Sequence, residues 1–439
     1  MQIEVTIPSQ PSPVNHARRT VMAIALVAGL AELAYSVMNL SAMPVYLKYS
    51  MGFGESAVAA IVTAFLLCEG LMKGPFGVLG DRIGRKWLII AGPGISIFTA
   101  LFTLLVQPHQ WYLFVLLRVM DGLGAAALWT SALAMIADVI EPERRAQAMS
   151  LFNVTYLVGI ALGPFMGGAA NDLTRLAARH LGAAGLISPE IDPRQASFYL
   201  ISTLFLLTTL VAWWRIPNVR PHYENHPAAH EAGFSLQALA VALKRIPTML
   251  LLALVTFLGI GQIMAIIKLF ALAELGLSET QFGALLLLPA LAIAAASVPL
   301  GTLGDCIGKA RAVRIGLGFC AFSMWALIFI KSHLGLVLGG SLVGVGFVVA
   351  FPAWIALVST CCEPQQRGAV MGAVGTVQGF GAVVGALVGG YLYEHARITL
   401  PFLQTAHPNH YVPFIGCALF LLIAWMLSLF MIKEPTTPC

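Results

Sequence analysis

Charge is what this sequence has least of. Aspartate, glutamate, lysine and arginine make up 10% of its 439 residues, against about 25% in ordinary soluble domains. With 59% of residues hydrophobic, too little polar surface exists to cover a water-facing exterior, which excludes a soluble globular protein. The seven cysteines (Cys68, Cys306, Cys320, Cys361, Cys362, Cys417 and Cys439) show no CxxC or Cys/His spacing, which excludes a zinc framework and a disulfide scaffold. Buried, unreactive thiols are expected instead. No nucleophile–base arrangement is present either, so no catalytic residue, metal site or cofactor is expected. A membrane enzyme or a receptor is a remote alternative. The net charge of +5 is modest, and no nucleic-acid partner is expected.

What the sequence has is long apolar runs. Crossing a hydrocarbon core of about 30 Å takes roughly 20 helical residues. Runs of that kind fall at about 20–46, 56–79, 87–106, 111–137, 147–170, 197–215, 247–270, 281–303, 312–330, 334–360, 368–391 and 412–432. They are continuous and do not alternate in polarity, so helices rather than barrel strands are predicted. The first run is too long for a signal peptide and is expected to stay in the membrane. An even count puts both termini on one side. Sixteen of the 25 Lys and Arg residues fall in loops on the termini side, six on the other, and three within spans. Lys and Arg concentrate in cytoplasmic loops, so both termini are expected in the cytoplasm, with 171–196 and 392–411 as the larger outer loops. The stretch 216–246, with Pro217, Pro221, Pro227 and three histidines (His222, His226, His230), reads as a solvated linker. The expected architecture is an all-α membrane protein of twelve transmembrane helices in two six-helix bundles, 1–215 and 247–439.

The two halves repeat each other. Glu141-Pro-Glu-Arg-Arg145-Ala-Gln-Ala-Met149 returns as Glu363-Pro-Gln-Gln-Arg367-Gly-Ala-Val-Met371. Gly159, Gly163, Gly167 and Gly168 return as Gly381, Gly385, Gly389 and Gly390, and Gly122 and Gly124 as Gly344 and Gly346. The stretch Gly77-Val-Leu-Gly-Asp81-Arg-Ile-Gly84 returns as Gly301-Thr-Leu-Gly-Asp305-Cys-Ile-Gly308. Parallel repeats of this kind place a binding site between the halves, near the midplane, reached alternately from either side by rocking.

These motifs resemble those of the major facilitator superfamily. Gly77 to Lys86 resembles its loop 2–3 signature, and Arg118-Val-Met-Asp121-Gly122-Leu-Gly124 resembles its helix 4 signature, with Asp121 where the pattern more often has Gln. Gly159-Ile-Ala-Leu-Gly163-Pro164-Phe-Met-Gly167-Gly168 resembles the helix 5 signature of the drug/proton antiporter branch. The resemblance implies that Gly77, Asp81, Arg82, Gly84, Arg85 and Lys86, joined by Asp138, form a cytoplasmic latch between the halves. It also points toward proton-coupled efflux, with protons as a partner beside the substrate.

The residues themselves supply further expectations. Glycines at 159, 163 and 167 share a helix face and suit close helix packing, with Pro164 bending the helix. A charge near mid-bilayer costs at least roughly 2.5–3.5 kcal/mol and marks function by default. Glu32, Glu69, Lys73, Arg118 and Asp121 are such groups, with Glu32 the principal candidate for a proton carrier. The spacings of Glu69 to Lys73 and of Arg118 to Asp121 allow pairing within one helix. Tyr35, Ser36 and Asn39 share the face of Glu32 and predict a water-filled cavity. Phe257, Gln262, Phe347, Phe351 and Trp354 are expected to line its apolar side. Lys268 is expected to snorkel to the outer interface. The function expected is proton-coupled export of hydrophobic or amphipathic compounds by a monomer in the cell (inner) membrane. Transport of a defined metabolite such as a sugar, organic acid or siderophore is the alternative.

Overall fold

In lipid every backbone N–H and C=O must find its partner inside the protein, and a helix does this within one segment. The computed structural model describes residues 13–140, 145–183, 192–218, 243–244, 246–301, 307–330, 332–360, 367–398 and 409–432. Its first half consists of α1 (Pro13–Ser36), α2 (Glu55–Ile83), α3 (Arg85–Thr103), α4 (Trp111–Val139), α5 (Arg145–Ala183) and α6 (Ala196–Arg215). Its second half consists of α7 (Pro247–Met264), α8 (Glu279–Gly301), α9 (Lys309–Phe329), α10 (His333–Thr360), α11 (Arg367–His395) and α12 (Val412–Met431). The fold is the all-α membrane architecture of twelve helices in two bundles. Exposed apolar side chains such as Leu105, Trp214 and Phe430 cover its outer surface, which suits a lipid solvent.

Two helices depart from regular winding. The first span continues past Ser36 to Ser50 through π-helical turns at Val37–Ala42 and Tyr46–Ser50. Pro44 has no N–H to donate, which loosens the ladder between the two turns. The seventh span breaks after Met264 and resumes as a short helix, Ile267–Ala273.

Helix α1 packs on α5 and α6, α2 on α4, and α3 on α4 and α6; α7 packs on α11 and α12, α8 on α10, and α9 on α10 and α12. The halves meet along two seams, α5 against α8 and α2 against α11. The repeated glycines explain both the packing and the seams. A Cβ on Gly159 would lie 2.8 Å from Leu33 N, and one on Gly167 would lie 2.6 Å from Ser41 Oγ, so this face of α5 touches α1. In the other half Gly381 would meet Leu254 O at 3.0 Å and Gly385 the Gly261 Cα at 3.1 Å, so α11 touches α7 the same way. Gly168 instead packs on Glu279 of α8, and its repeat Gly390 on Glu55 of α2. Three glycines of each set thus bind a helix of their own half, and the fourth binds the other half.

The α2–α11 seam closes only toward the face opposite the termini. There Gly390 packs on Ala59 and Ser56 N donates to Glu394 Oε2 at 2.8 Å. Toward the termini face, Gly70 and Gly77 of α2 and Gly375 and Gly379 of α11 have open space where a Cβ would stand. At these four positions the two helices make no close contact.

The expected outer loop 171–196 is half helix, because α5 runs on to Ala183. The apolar run stops at Ala170, whereas the helix continues through polar residues that find partners: Asn171 Oδ1 accepts from Ser197 N at 3.1 Å, and Asp172 Oδ2 accepts from Thr280 Oγ1 at 2.7 Å. Most of the 216–246 stretch with its three histidines, and the second copies of the loop motifs at 302–306 and 361–366, lie outside the described residues.

Candidate functional site

A cavity of about 220 Å³ lies between the halves. Helix α1 contributes Glu32, Tyr35, Ser36 and Asn39 to its wall, α2 contributes Glu69, and α7 and α11 contribute Met264, Ala265 and Ala386. The 3- and 4-residue spacing on α1 brings its four polar side chains to one face. Glu32 is 8% exposed and has neither ion pair nor hydrogen bond among the described residues. The charged groups facing it are Glu69 and Lys73, which pair with each other at 2.8 Å. Gly159 of α5 backs directly onto Glu32, since a Cβ there would stand 2.9 Å from the Glu32 Cβ. The helix 5 motif therefore seats the helix that carries the carboxyl.

Behind the cavity wall a polar network crosses the first bundle. Arg118 is fully buried and donates from Nη1 to Asp121 Oδ2 at 2.7 Å. Its Nη2 donates to Asn39 Oδ1, and its guanidinium lies 4.7 Å from the Phe65 ring centroid. Asp121 also accepts from Thr99 Oγ1, and Tyr35 and Ser96 hydroxyls lie 3.1 Å apart. Taking an ion pair out of water is tolerated when the geometry is good; here both Nη atoms of Arg118 are bonded, whereas its Nε is buried with no hydrogen-bond partner among the described residues. Asn39 sits in the first π-helical turn, a winding frequent at functional sites, and it joins this network to the cavity.

On the termini side, Gly84 takes φ of 96° at the corner between α2 and α3, a conformation that favours glycine. Arg85 is buried there, donating to Asp81 Oδ1 at 3.2 Å and pairing with Asp138 of α4. All three belong to the first half. Arg82 is exposed and Lys86 half-buried, and neither has an ion pair among the described residues. Gly77 has open space where a Cβ would stand, whereas at Gly80 a Cβ would meet Leu88 at 3.3 Å and Ser131 at 3.4 Å, so Gly80 is the glycine that packs closely here. Asp81→Asn removes one of two carboxylates from Arg85 and leaves Asp138 in place. It is expected to keep wild-type yield and melting temperature and to lower transport at least tenfold; wild-type transport would reduce the loop to a topology signal.

The second half contributes a different wall. Phe257, Phe347, Phe351 and Trp354 line an apolar pocket that adjoins the first along α7, where Ile260 of one pocket and Met264 of the other are a turn apart. Gln262 does not take part. It is buried with its side chain against Gly416 of α12, because it falls on the face of α7 that packs inside its own bundle.

Lys268 does not snorkel. It is 1% exposed and donates from Nζ to Glu279 Oε2 at 2.8 Å and to Ser41 Oγ at 2.6 Å. Glu279, 2% exposed, also accepts from Asn171 Nδ2 at 2.9 Å and faces Arg175 Nη2 at 3.4 Å. Ser41, Asn171 and Arg175 belong to the first half, Lys268 and Glu279 to the second, so this buried network ties the halves together on the closed face. Its members are singly placed in the sequence. The spacing of Lys268 to Glu279 carries no periodic signal; charge in an apolar context singled out Lys268 alone, and Glu279 was missed. Removing one partner of a buried pair costs about 3–5 kcal/mol. Glu279→Gln is therefore expected to free the closed face, so that a cysteine on its cavity side reacts with impermeant maleimide applied to that face at least tenfold faster. An unchanged rate would show that the helix seams alone hold that face.

A charged cavity between two repeated bundles, tied together by a buried network on one face, is the geometry of alternating access. The sequence pattern described as Major Facilitator Superfamily matches residues 24–272 and 249–438. The chain belongs to the Major Facilitator Superfamily. It is similar to the inner membrane transport protein YajR of Escherichia coli (strain K12), 24% identical over 80% of this chain and 73% of that one. It is also similar to multidrug resistance protein 2 of Bacillus subtilis (strain 168), 23% identical over 82% of this chain and 85% of that one. Among solved structures, a bacterial homolog of the human lysosomal transporter Spinster, inward-facing and unoccupied, superimposes with a TM-score of 0.74 at 18% identity, covering 98% of this chain and all of that one. The nucleoside transporter NupG superimposes with a TM-score of 0.72 at 11% identity, covering 94% of this chain and all of that one. These superpositions establish the fold. As a major facilitator, the chain is a multi-pass membrane transporter of a small molecule.

Proposed function

We propose that this transporter exports hydrophobic or amphipathic small molecules in exchange for protons, with both termini in the cytoplasm of a cell whose inner membrane it spans. Residues 1–215 and 247–439 rock against each other about the central cavity, joined by 216–246. The observation that carries this reading is Glu32, a buried carboxyl with no ion pair or hydrogen bond among the described residues, on the wall of a cavity that adjoins an aromatic pocket. A carboxylate removed from water is costly unless something neutralises it. A proton or the polar end of a substrate does so, and the two compete for one group. Competition at one site, with access alternating between faces, is sufficient for antiport. The aromatic pocket has few hydrogen-bonding groups, which favours apolar compounds over sugars and organic acids.

The Asp81–Arg85–Asp138 cluster is read as the cytoplasmic latch, and the Lys268–Glu279 network as its counterpart outside. A panel of solutes offered to proteoliposomes tests the substrate class. Amphipathic aromatic compounds are expected to be moved and sugars and nucleosides ignored. Movement of a sugar or an organic acid in preference to every aromatic compound would favour the metabolite reading.

A further inference from the structure

The aromatic pocket of the second half contains hydrogen-bond donors that the protein does not use. Trp354 is 5% exposed, and its indole Nε1, which can only donate, has no partner among the described residues. The Gln378 amide nitrogen, from α11 on the same wall, is also buried without a partner among the described residues. The other polar groups on the wall are already engaged: Thr256 Oγ1 donates to Leu252 O at 2.8 Å and Cys320 Sγ to Val343 O at 3.3 Å. No carboxylate, lysine, arginine or histidine lines the pocket. Buried polar groups are nearly always bonded, and an exception calls for an explanation such as a ligand.

The rest of the wall says what that ligand looks like. Phe347, Phe351 and Trp354 recur at 4 and 3 residues on α10, which puts them on one face. Their rings are nearly parallel, Phe347 to Phe351 at 5.0 Å and 13°, Phe351 to Trp354 at 6.1 Å and 28°. Such a ladder presents flat surface to a flat partner. The volume is about 70 Å³, well below the 300 Å³ or more typical of a site for a whole drug-sized molecule. It admits the edge of one ring, with the remainder outside.

We propose that this pocket is a substrate subsite for an uncharged, flat ring carrying a hydrogen-bond acceptor such as a ketone, ether or aromatic nitrogen, with the acceptor bonded by Trp354 Nε1–H and the Gln378 amide. The assignment rests on the reading that substrate enters between the halves, and it gives the neutral end of that substrate a chemistry. Aromatic surface supplies affinity, and the two donors select for the acceptor.

A matched pair of probes isolates the donors: 1-tetralone, and tetralin, which has the same rings and a CH2 in place of the carbonyl. Their binding to the full chain in nanodiscs is measured by titration, with protein-free nanodiscs subtracting partition into lipid. The wild type is expected to prefer 1-tetralone by about tenfold, equivalent to about 1.4 kcal/mol and the net worth of a good hydrogen bond. Trp354→Phe and Gln378→Leu should each cut that preference at least threefold, and Gln378→Leu, which leaves the rings in place, should keep tetralin binding within twofold, which also reports that the pocket is intact. Equal binding of the two probes by the wild type, or a full preference surviving Gln378→Leu, overturns the proposal. Binding needs no proton gradient. A chain that keeps the preference yet shows no pH-driven transport refutes the coupling and not the subsite.

Discussion

Glu32→Gln is expected to abolish accumulation driven by a pH gradient while leaving the protein folded and able to bind substrate. Glutamine copies the shape of the protonated acid and cannot release a proton. The carboxyl has no partner to orphan, so the substitution removes a charge without unpairing another group, and stability should change little. Uphill transport should fall to the level of protein-free vesicles, whereas downhill exchange of substrate should persist and lose its dependence on pH. Glu69 differs because it is tied to Lys73 at 2.8 Å, and neutralising it leaves that lysine unpaired. Uphill transport by Glu32→Gln with an unchanged pH profile would move the proton site to Glu69 or Asp121.

Arg118 should show a different pattern, because its charge and its packing are separable. Arg118→Leu leaves Asp121 buried and unpaired, at a cost of about 3–5 kcal/mol, enough to remove most folded protein given typical stabilities of about 5–15 kcal/mol. Replacing both, as Arg118→Leu with Asp121→Leu, exchanges a buried pair for apolar side chains, which is often neutral or stabilising. The double variant is expected to recover folded yield and remain inactive in transport. Arg118→Lys retains the charge but cannot bond Asp121 and Asn39 together in the planar fork that arginine provides, so it should fold and transport at least tenfold more slowly. A double variant that transports like the wild type would show that the network only holds the bundle together.

Much of this was legible in the sequence because membrane solvent imposes simple rules. Twelve spans follow from apolar length, and the offset repeat of Gly159 to Gly168 in Gly381 to Gly390 foretells which helices touch. The Arg118–Asp121 and Glu69–Lys73 contacts follow from helical spacing alone. What was hidden lies where contacts join distant segments. The extension of α5 to Ala183 is held by Ser197 and Thr280, and no hydropathy window sees those partners. The outward position assumed for Lys268 rested on its distance from the helix end; burial against Ser41 and Glu279 depends on the π-helical turn of α1 and the break in α7. Gln262 and Gln378 are both glutamines on cavity-forming helices. The packing of α7 on α11 and α12 decides that only Gln378 reaches a pocket.

The most direct test of exchange against protons uses inside-out vesicles containing the wild-type chain, with a lumen more acidic than the medium and an amphipathic aromatic substrate outside. The account predicts accumulation in the lumen above the external concentration, collapse on adding a protonophore, and a rise in lumenal pH when substrate is added. Accumulation that a protonophore does not touch, with no proton movement on substrate addition, would contradict it.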